Sequence, residues 1–209
     1  MSRLFSYIKS IIAIVVFKIK WRKFNSHNFT TAKSLFSKDR VKVGRFSYGP
    51  LEVFDYGEKN AGLEIGSFCS IALNVKFILG GNHFIDGLFS YPISPMLIND
   101  GEGGYSKGKI IIGDNCWIGF GSTIVSGVEL GNGCVVAAGT VVTKSFPSYS
   151  IIGGSPAKVI RKRFDDETIE MLENNPDIYN KDISWYKENH KDLVKTKCNI
   201  DLITEILKR

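Results

Sequence analysis

The stretch IIIGDNCWIGFGSTIVSGVELGNGCVVAAGTVVTKSF, residues 110–146, decides the fold. Every sixth residue from Ile112 is aliphatic: Ile112, Ile118, Ile124, Leu130, Val136 and Val142. The residues that follow them are Gly113, Gly119, Val125, Gly131, Ala137 and Thr143, mostly small. The fourth residue after each is Cys116, Ser122, Val128, Cys134, Thr140 or Phe146, small or medium until the phenylalanine that ends the array. A fixed short period of this kind predicts stacked coils rather than an ordinary sandwich. Six-residue units form short strands that turn a corner each time, three to a coil. The aliphatic residue points into the shaft, where its burial contributes roughly 1.5–3 kcal/mol. The fourth position after it also faces inward, in tight space, which assigns Cys69, Cys116 and Cys134 as small packing residues. The glycine after the aliphatic residue relieves crowding or permits an unusual φ at the corner.

The frame extends upstream. Ile65, Ile71 and Phe77 carry it, with Gly66, Ala72 and Ile78 after them and Cys69, Val75 and Gly81 at the fourth place. A weaker start shows at Val43, Gly44 and Ser47, and the pattern lapses over residues 83–108.

Residues 110–164 resemble the C-terminal signature of the hexapeptide-repeat acyltransferases. GGNHFIDGLFSYPI, residues 80–93, resembles the histidine-bearing loop of their xenobiotic acetyltransferase branch, which also holds polysaccharide O-acetyltransferases. The resemblance covers about residues 41–164. It implies a mainly β fold, a left-handed parallel β-helix, over residues 39–163 with a protruding loop at 84–108. It also implies a homotrimer with active sites between subunits, and acetyl-CoA as cosubstrate with no metal required.

His83 is the candidate catalytic base. Imidazole titrates near neutral pH, as a base that takes a hydroxyl proton must. Of the other histidines, His27 lies in a polar stretch and His190 in the charged pattern KENHKD. On the acceptor side the candidates are Tyr48, Asn82, Asp86 and Tyr91, with Pro92 and Met96 walling the pocket. On the cofactor side the resemblance implies Trp117 and Gly119 at the thioester end and Ala138 beneath pantetheine. It implies Thr143 and Lys144 at the far end, and Lys158 and Arg161 at the phosphates, where cations make strong charge-assisted contacts. Trp117 follows the inward Cys116 and should therefore point outward.

The remainder of the chain frames these sites. The net charge of +6 is an N-terminal property: residues 1–38 hold eight of the 27 basic residues and none of the 21 acidic ones. That distribution argues against nucleic-acid binding, which spreads positive charge over a folded surface. The four cysteines show no metal-ligand spacing, and a cytoplasmic location is expected. The run Ile11–Phe17 is too short to span a bilayer. On a helix, Leu4, Ile8, Ile11, Ile12 and Val15 share a face beside lysines. Residues 1–25 read either as a peripheral anchor at the inner face of a membrane or as a helix packed on the body or in an oligomer interface. Residues 164–209 read as a helical tail, with Asp165 or Asp166 capping its first helix and Asn174-Asn175-Pro176 ending it. The favoured reading is transfer of acetyl to a sugar hydroxyl of a surface polysaccharide or its precursor. The alternative is acetylation of a streptogramin- or chloramphenicol-type antibiotic, and a non-catalytic scaffold fits less well, since both the histidine and the CoA segment are present.

Overall fold

The computed structural model describes residues 2–195, 198 and 200–208. Its centre is a parallel coil. Ile111 pairs with Glu129, Trp117 with Val135 and Thr123 with Val141, so partners stand eighteen residues apart, three hexapeptides to a coil. The coil has three faces, met in chain order. The first stacks Val41–Val43, Leu63–Ile65, Ile110–Ile112 and Glu129–Leu130. The second stacks the start of Tyr48–Phe54, then Ser70–Ile71, Trp117–Ile118, Val135–Val136 and Ser150–Gly153. The third stacks the end of Tyr48–Phe54, then Lys76–Ile78, Thr123–Val125 and Val141–Val142. The stretch that breaks the repeat is an insertion. Ser70 pairs with Trp117 and Lys76 with Thr123, so the coil resumes in register across it.

Both inward positions of the repeat are buried from Ile112 to Phe146. The fourth-place residues form three columns of different width. Ser47, Cys69, Cys116 and Cys134 fill the narrowest corner. There Cys116 donates to Gly131 O and Cys134 to Pro147 O. The neighbouring thiols of Cys134 and Cys69, together with burial, push the Cys116 thiol well above its usual value, so it stays protonated. The widest column runs Val41, Leu63, Ile110, Val128 and Phe146. The phenylalanine that departs from the small-residue rule therefore sits in the one corner with room for it, 5% exposed, at the end of the shaft.

Of the two roles expected for the glycine after the aliphatic residue, the relief of crowding is the one it fills. These glycines do not have positive φ. They relieve crowding: a Cβ on Gly113 would stand 2.6 Å from Asn132 Oδ1 and 2.7 Å from Asn132 N. The left-handed corner falls two residues later, at Asn74, Asn115, Gly121, Gly127, Gly133 and Gly139, and at the strained Phe46, Phe68 and Tyr149.

Strand Phe29–Ala32 pairs in parallel with Tyr48–Leu51. Helix α1, Ser2–Phe24, precedes that strand. The side chain of Leu4 lies outside the described residues. The expected apolar face at Ile8, Ile11, Ile12 and Val15 is exposed, and a second apolar face at Phe17 and Trp21 packs on the body. Two apolar faces replace the one-sided helix because only the C-terminal half of α1 reaches the coil.

After the coil, Lys158–Lys162 returns antiparallel against Ser150–Gly153. Helix α2, Asp166–Asn174, is capped by Asp165, which accepts from Thr168 N at 2.8 Å. Helices α3, Ile183–Lys195, and α4, Ile200–Leu207, follow. Arg45 ties this tail to the coil: its guanidinium donates to Tyr179 O at 2.7 Å and lies over the Phe68 and Tyr186 rings.

Candidate active site

His83 leaves the coil at the corner between the third and first faces, just after the buried Leu79 and Gly80. The neck of the insertion is closed just beyond. Asn82 and Tyr105 exchange backbone hydrogen bonds of 3.0 and 2.8 Å. The Asn82 side-chain amide donates to Tyr105 O at 3.0 Å and to Ser126 Oγ at 3.2 Å. Asn82 therefore holds the neck shut, and its NH₂ is committed there rather than offered to an acceptor.

The imidazole of His83 is exposed and its Nδ1 lies 2.8 Å from Ser90 O. A carbonyl only accepts, so Nδ1 carries the proton. In the neutral ring this leaves Nε2 as an unprotonated acceptor, the state a general base requires. The orienting partner is thus a backbone carbonyl seven residues on, and Asp86 lies exposed on the same loop.

The cleft before the ring is lined by Tyr56, Glu58, Lys59, Glu102 and the glycines 81, 103 and 104. An apolar hollow adjoins it, sharing Glu102 and Gly103 and lined by Phe84, Leu88, Phe89, Tyr91 and Pro92. Tyr91 and Pro92 therefore stand beside His83's cleft. Met96 is exposed on the same insertion.

Glu58 is the residue that sequence reading missed. Its Oε1 accepts the Gly81 N–H at 2.7 Å, and Oε2 is buried without a partner. The carboxylate lies where a Gly80 Cβ would be, 2.3 Å from Oε2. Arg40 fixes the loop that carries Glu58, bonding Asp55 Oδ1 at 3.0 Å, Gly57 O at 2.9 Å and Glu58 O at 2.8 Å. The paired glycines before His83 were a legible signal that something packs there. That it is an acid 22 residues upstream of Gly80 was not.

The cofactor-side candidates lie elsewhere on the coil. Tyr48, Ser70, Trp117, Val135, Ile151 and Arg161 pair in succession along the second face. Adjacent strands stand about 4.8 Å apart, so this is one outward row along the shaft. Trp117 is 57% exposed on it, outward as expected. Gly119 follows, and its N–H is bonded to Val136 O at 2.8 Å. A Cβ there would lie 2.6 Å from the same oxygen, so its place is a close approach of backbones. Ala138 is exposed at the next corner, Thr143 and Lys144 beyond the third face, and Lys158 on the exposed edge strand with Arg161. The second face is opposite the corner that bears His83. One chain therefore brings His83 together with Tyr91 and the insertion, but not with Tyr48, Trp117 or Arg161.

Residues 109–144 match the family model described as hexapeptide repeat of succinyl-transferase. A probable macrolide acetyltransferase of Lysinibacillus sphaericus is 45% identical over 121 residues, 53% of this chain and 65% of that one. A chloramphenicol acetyltransferase of Agrobacterium fabrum is 40% identical over 53% of this chain and 56% of its own length. The chain thus spans under two thirds of these relatives. A chloramphenicol acetyltransferase of Escherichia coli is 39% identical over 63% of this chain and 72% of that protein. Among solved structures, a hexapeptide-repeat acetyltransferase of Vibrio cholerae matches with a TM-score of 0.54 at 25% identity, over 69% of this chain and 77% of that one. Its complex with acetyl-CoA matches at 0.50 and 26%, over 66% of each chain. Register, buried repeat and relatives agree, and the chain belongs to the hexapeptide-repeat acetyltransferases.

Proposed function

We propose that the protein transfers acetyl from acetyl-CoA directly to a hydroxyl of a sugar in a surface polysaccharide or its precursor, with His83 as general base. The observation that carries this is the His83–Ser90 contact, which commits Nδ1 as the donor and leaves Nε2 as the nitrogen available for proton transfer at the mouth of a cleft. Nε2 takes the hydroxyl proton as the acceptor oxygen bonds to the thioester carbonyl carbon. The carbon–sulfur bond breaks, and the same nitrogen returns the proton to the departing thiolate. The cofactor reading is supported by the exposed Trp117–Arg161 row and the cations Lys144 and Lys158, suited to the phosphates of CoA. Ala138 lies exposed at the corner that follows the second face, whereas Thr143 and Lys144 lie beyond the third face, on the side of the coil that bears His83. On the family pattern the coil is left-handed.

The active form we propose is a homotrimer. His83 and the Trp117 row occupy opposite sides of one coil, so a second copy completes each site. The polar lining near His83 (Tyr56, Glu58, Lys59, Glu102) suits a sugar, with Asp86 and Tyr91 on its loop and Tyr48 contributed by the neighbouring chain. A second reading, acetylation of an antibiotic alcohol, is favoured by the apolar hollow at Phe84, Leu88 and Phe89 and by the names of the relatives.

A screen of CoA release decides between them. Mono- and oligosaccharides are offered beside streptogramin- and chloramphenicol-type alcohols. Turnover with a saccharide supports the first reading, and turnover with the drugs alone overturns it. Acetyl-CoA should also raise the thermal midpoint; no shift would remove the cofactor assignment.

A further inference from the structure

Helix α1 carries a surface that acetyl transfer does not use. At 100° per residue, Phe5, Ile8, Ile11, Ile12, Val15, Val16 and Ile19 fall within an arc of about 140°. All seven are exposed, from 41% to 66%. Lys9 and Lys20 border this stripe on one side and Lys18 on the other, while Arg22 and Lys23 close its C-terminal end. No acidic residue occurs in residues 1–38. The opposite face of the same helix is already occupied. Trp21 is 1% exposed and packs edge-on against Phe36 at 5.1 Å, and its Nε1 donates to Thr30 Oγ1 at 3.1 Å. Arg22 donates to Thr30 O at 3.0 Å. The base of the helix is thus fixed to the coil, while its outer stripe stands uncovered by the described residues.

We infer that α1 is an in-plane anchor for a membrane surface bearing anionic lipids, with the apolar stripe among the acyl chains and the lysines at the headgroups. Phe5 to Ile19 runs about 22 Å, short of the roughly 30 Å of a bilayer core. Among the described residues no helix is long and apolar enough to cross a membrane. A second copy of the same stripe would set lysine borders against lysine borders, whereas anionic headgroups complement them. The rigid Trp21 junction means that such an anchor also orients the shaft against the surface, which places the enzyme beside acceptors assembled there.

The test is flotation of the full chain with vesicles of phosphatidylcholine alone or mixed with phosphatidylglycerol, a readout independent of turnover. The wild type should float with the mixed vesicles, less so as salt rises, and hardly at all with phosphatidylcholine alone. Ile12→Asp with Val15→Asp should cut the bound fraction about tenfold or more with no change in thermal midpoint, since both sites are exposed. Lys9, Lys18, Lys20 and Lys23 changed to Gln should abolish the preference for phosphatidylglycerol. Val194→Asp, at an exposed tail residue, should bind as the wild type does. Wild-type protein that stays off the mixed vesicles, or aspartate variants that still bind, would overturn the inference. So would sedimentation equilibrium showing that the aspartate changes lower the oligomeric mass, which would assign the stripe to self-association.

Discussion

At the scale of single residues, the chemistry turns on how one imidazole is held. The Ser90 carbonyl sets the tautomer of His83 from one side. From the other, Glu58 accepts the Gly81 N–H and fixes the backbone that leads into the histidine. With His83 as the proposed base, Glu58 is proposed to act through it, as a positioning residue. Displacing a catalytic group by about an ångström costs up to about a hundredfold. Glu58→Ala should accordingly lower kcat by about ten- to a hundredfold with little change in the KM for acetyl-CoA. Glu58→Gln keeps an oxygen that accepts the Gly81 N–H and should recover most of the loss. A Gln variant as impaired as the Ala variant would show that the carboxylate charge, not its position, matters. Nothing in the repeat announces Glu58, because its link to Gly81 joins two loops that stack at one corner of neighbouring coils, outside the six-residue frame.

At the scale of the coil elements, two kinds of glycine do separable work. Gly139 has φ +69°, and a Cβ added there would meet nothing within 4 Å, so alanine at this corner suffers only backbone strain. Gly139→Ala should cost about 1–2 kcal/mol. Gly113 meets the next coil at 2.6 Å, so Gly113→Ala must push two coils apart and should cost about 3 kcal/mol or more. Urea denaturation of the pair checks this; equal losses would mean that crowding and φ are not the separate constraints described. The coil itself was legible because side-chain direction follows a short period, and that period placed residues from Ile112 to Phe146 inward correctly. The corner conformation was harder to read. Asn74, Asn115 and three aromatic residues share the left-handed position with glycine, so no single residue type marks it. Strand Phe29–Ala32 was also hidden, since it lies outside the six-residue frame.

For the whole molecule, the geometry of a three-sided coil separates the acetyl-transfer parts. His83 stands at one corner and the Trp117–Arg161 row on the face opposite, so the proposed site forms where two copies meet. Mixing two impaired variants tests this arrangement and the base together. His83→Ala alone should lower CoA release by roughly 10²–10⁴-fold, and Trp117→Ala with Arg161→Ala should raise the KM for acetyl-CoA sharply. Unfolded together and refolded as mixed trimers, the two should regain a substantial share of wild-type CoA release. Some interfaces then pair an intact His83 from one chain with an intact Trp117 row from the next. Recovery of release in the mixture is the predicted result. A mixture no more active than its parts, or His83→Ala turning over at the wild-type rate, would contradict the account.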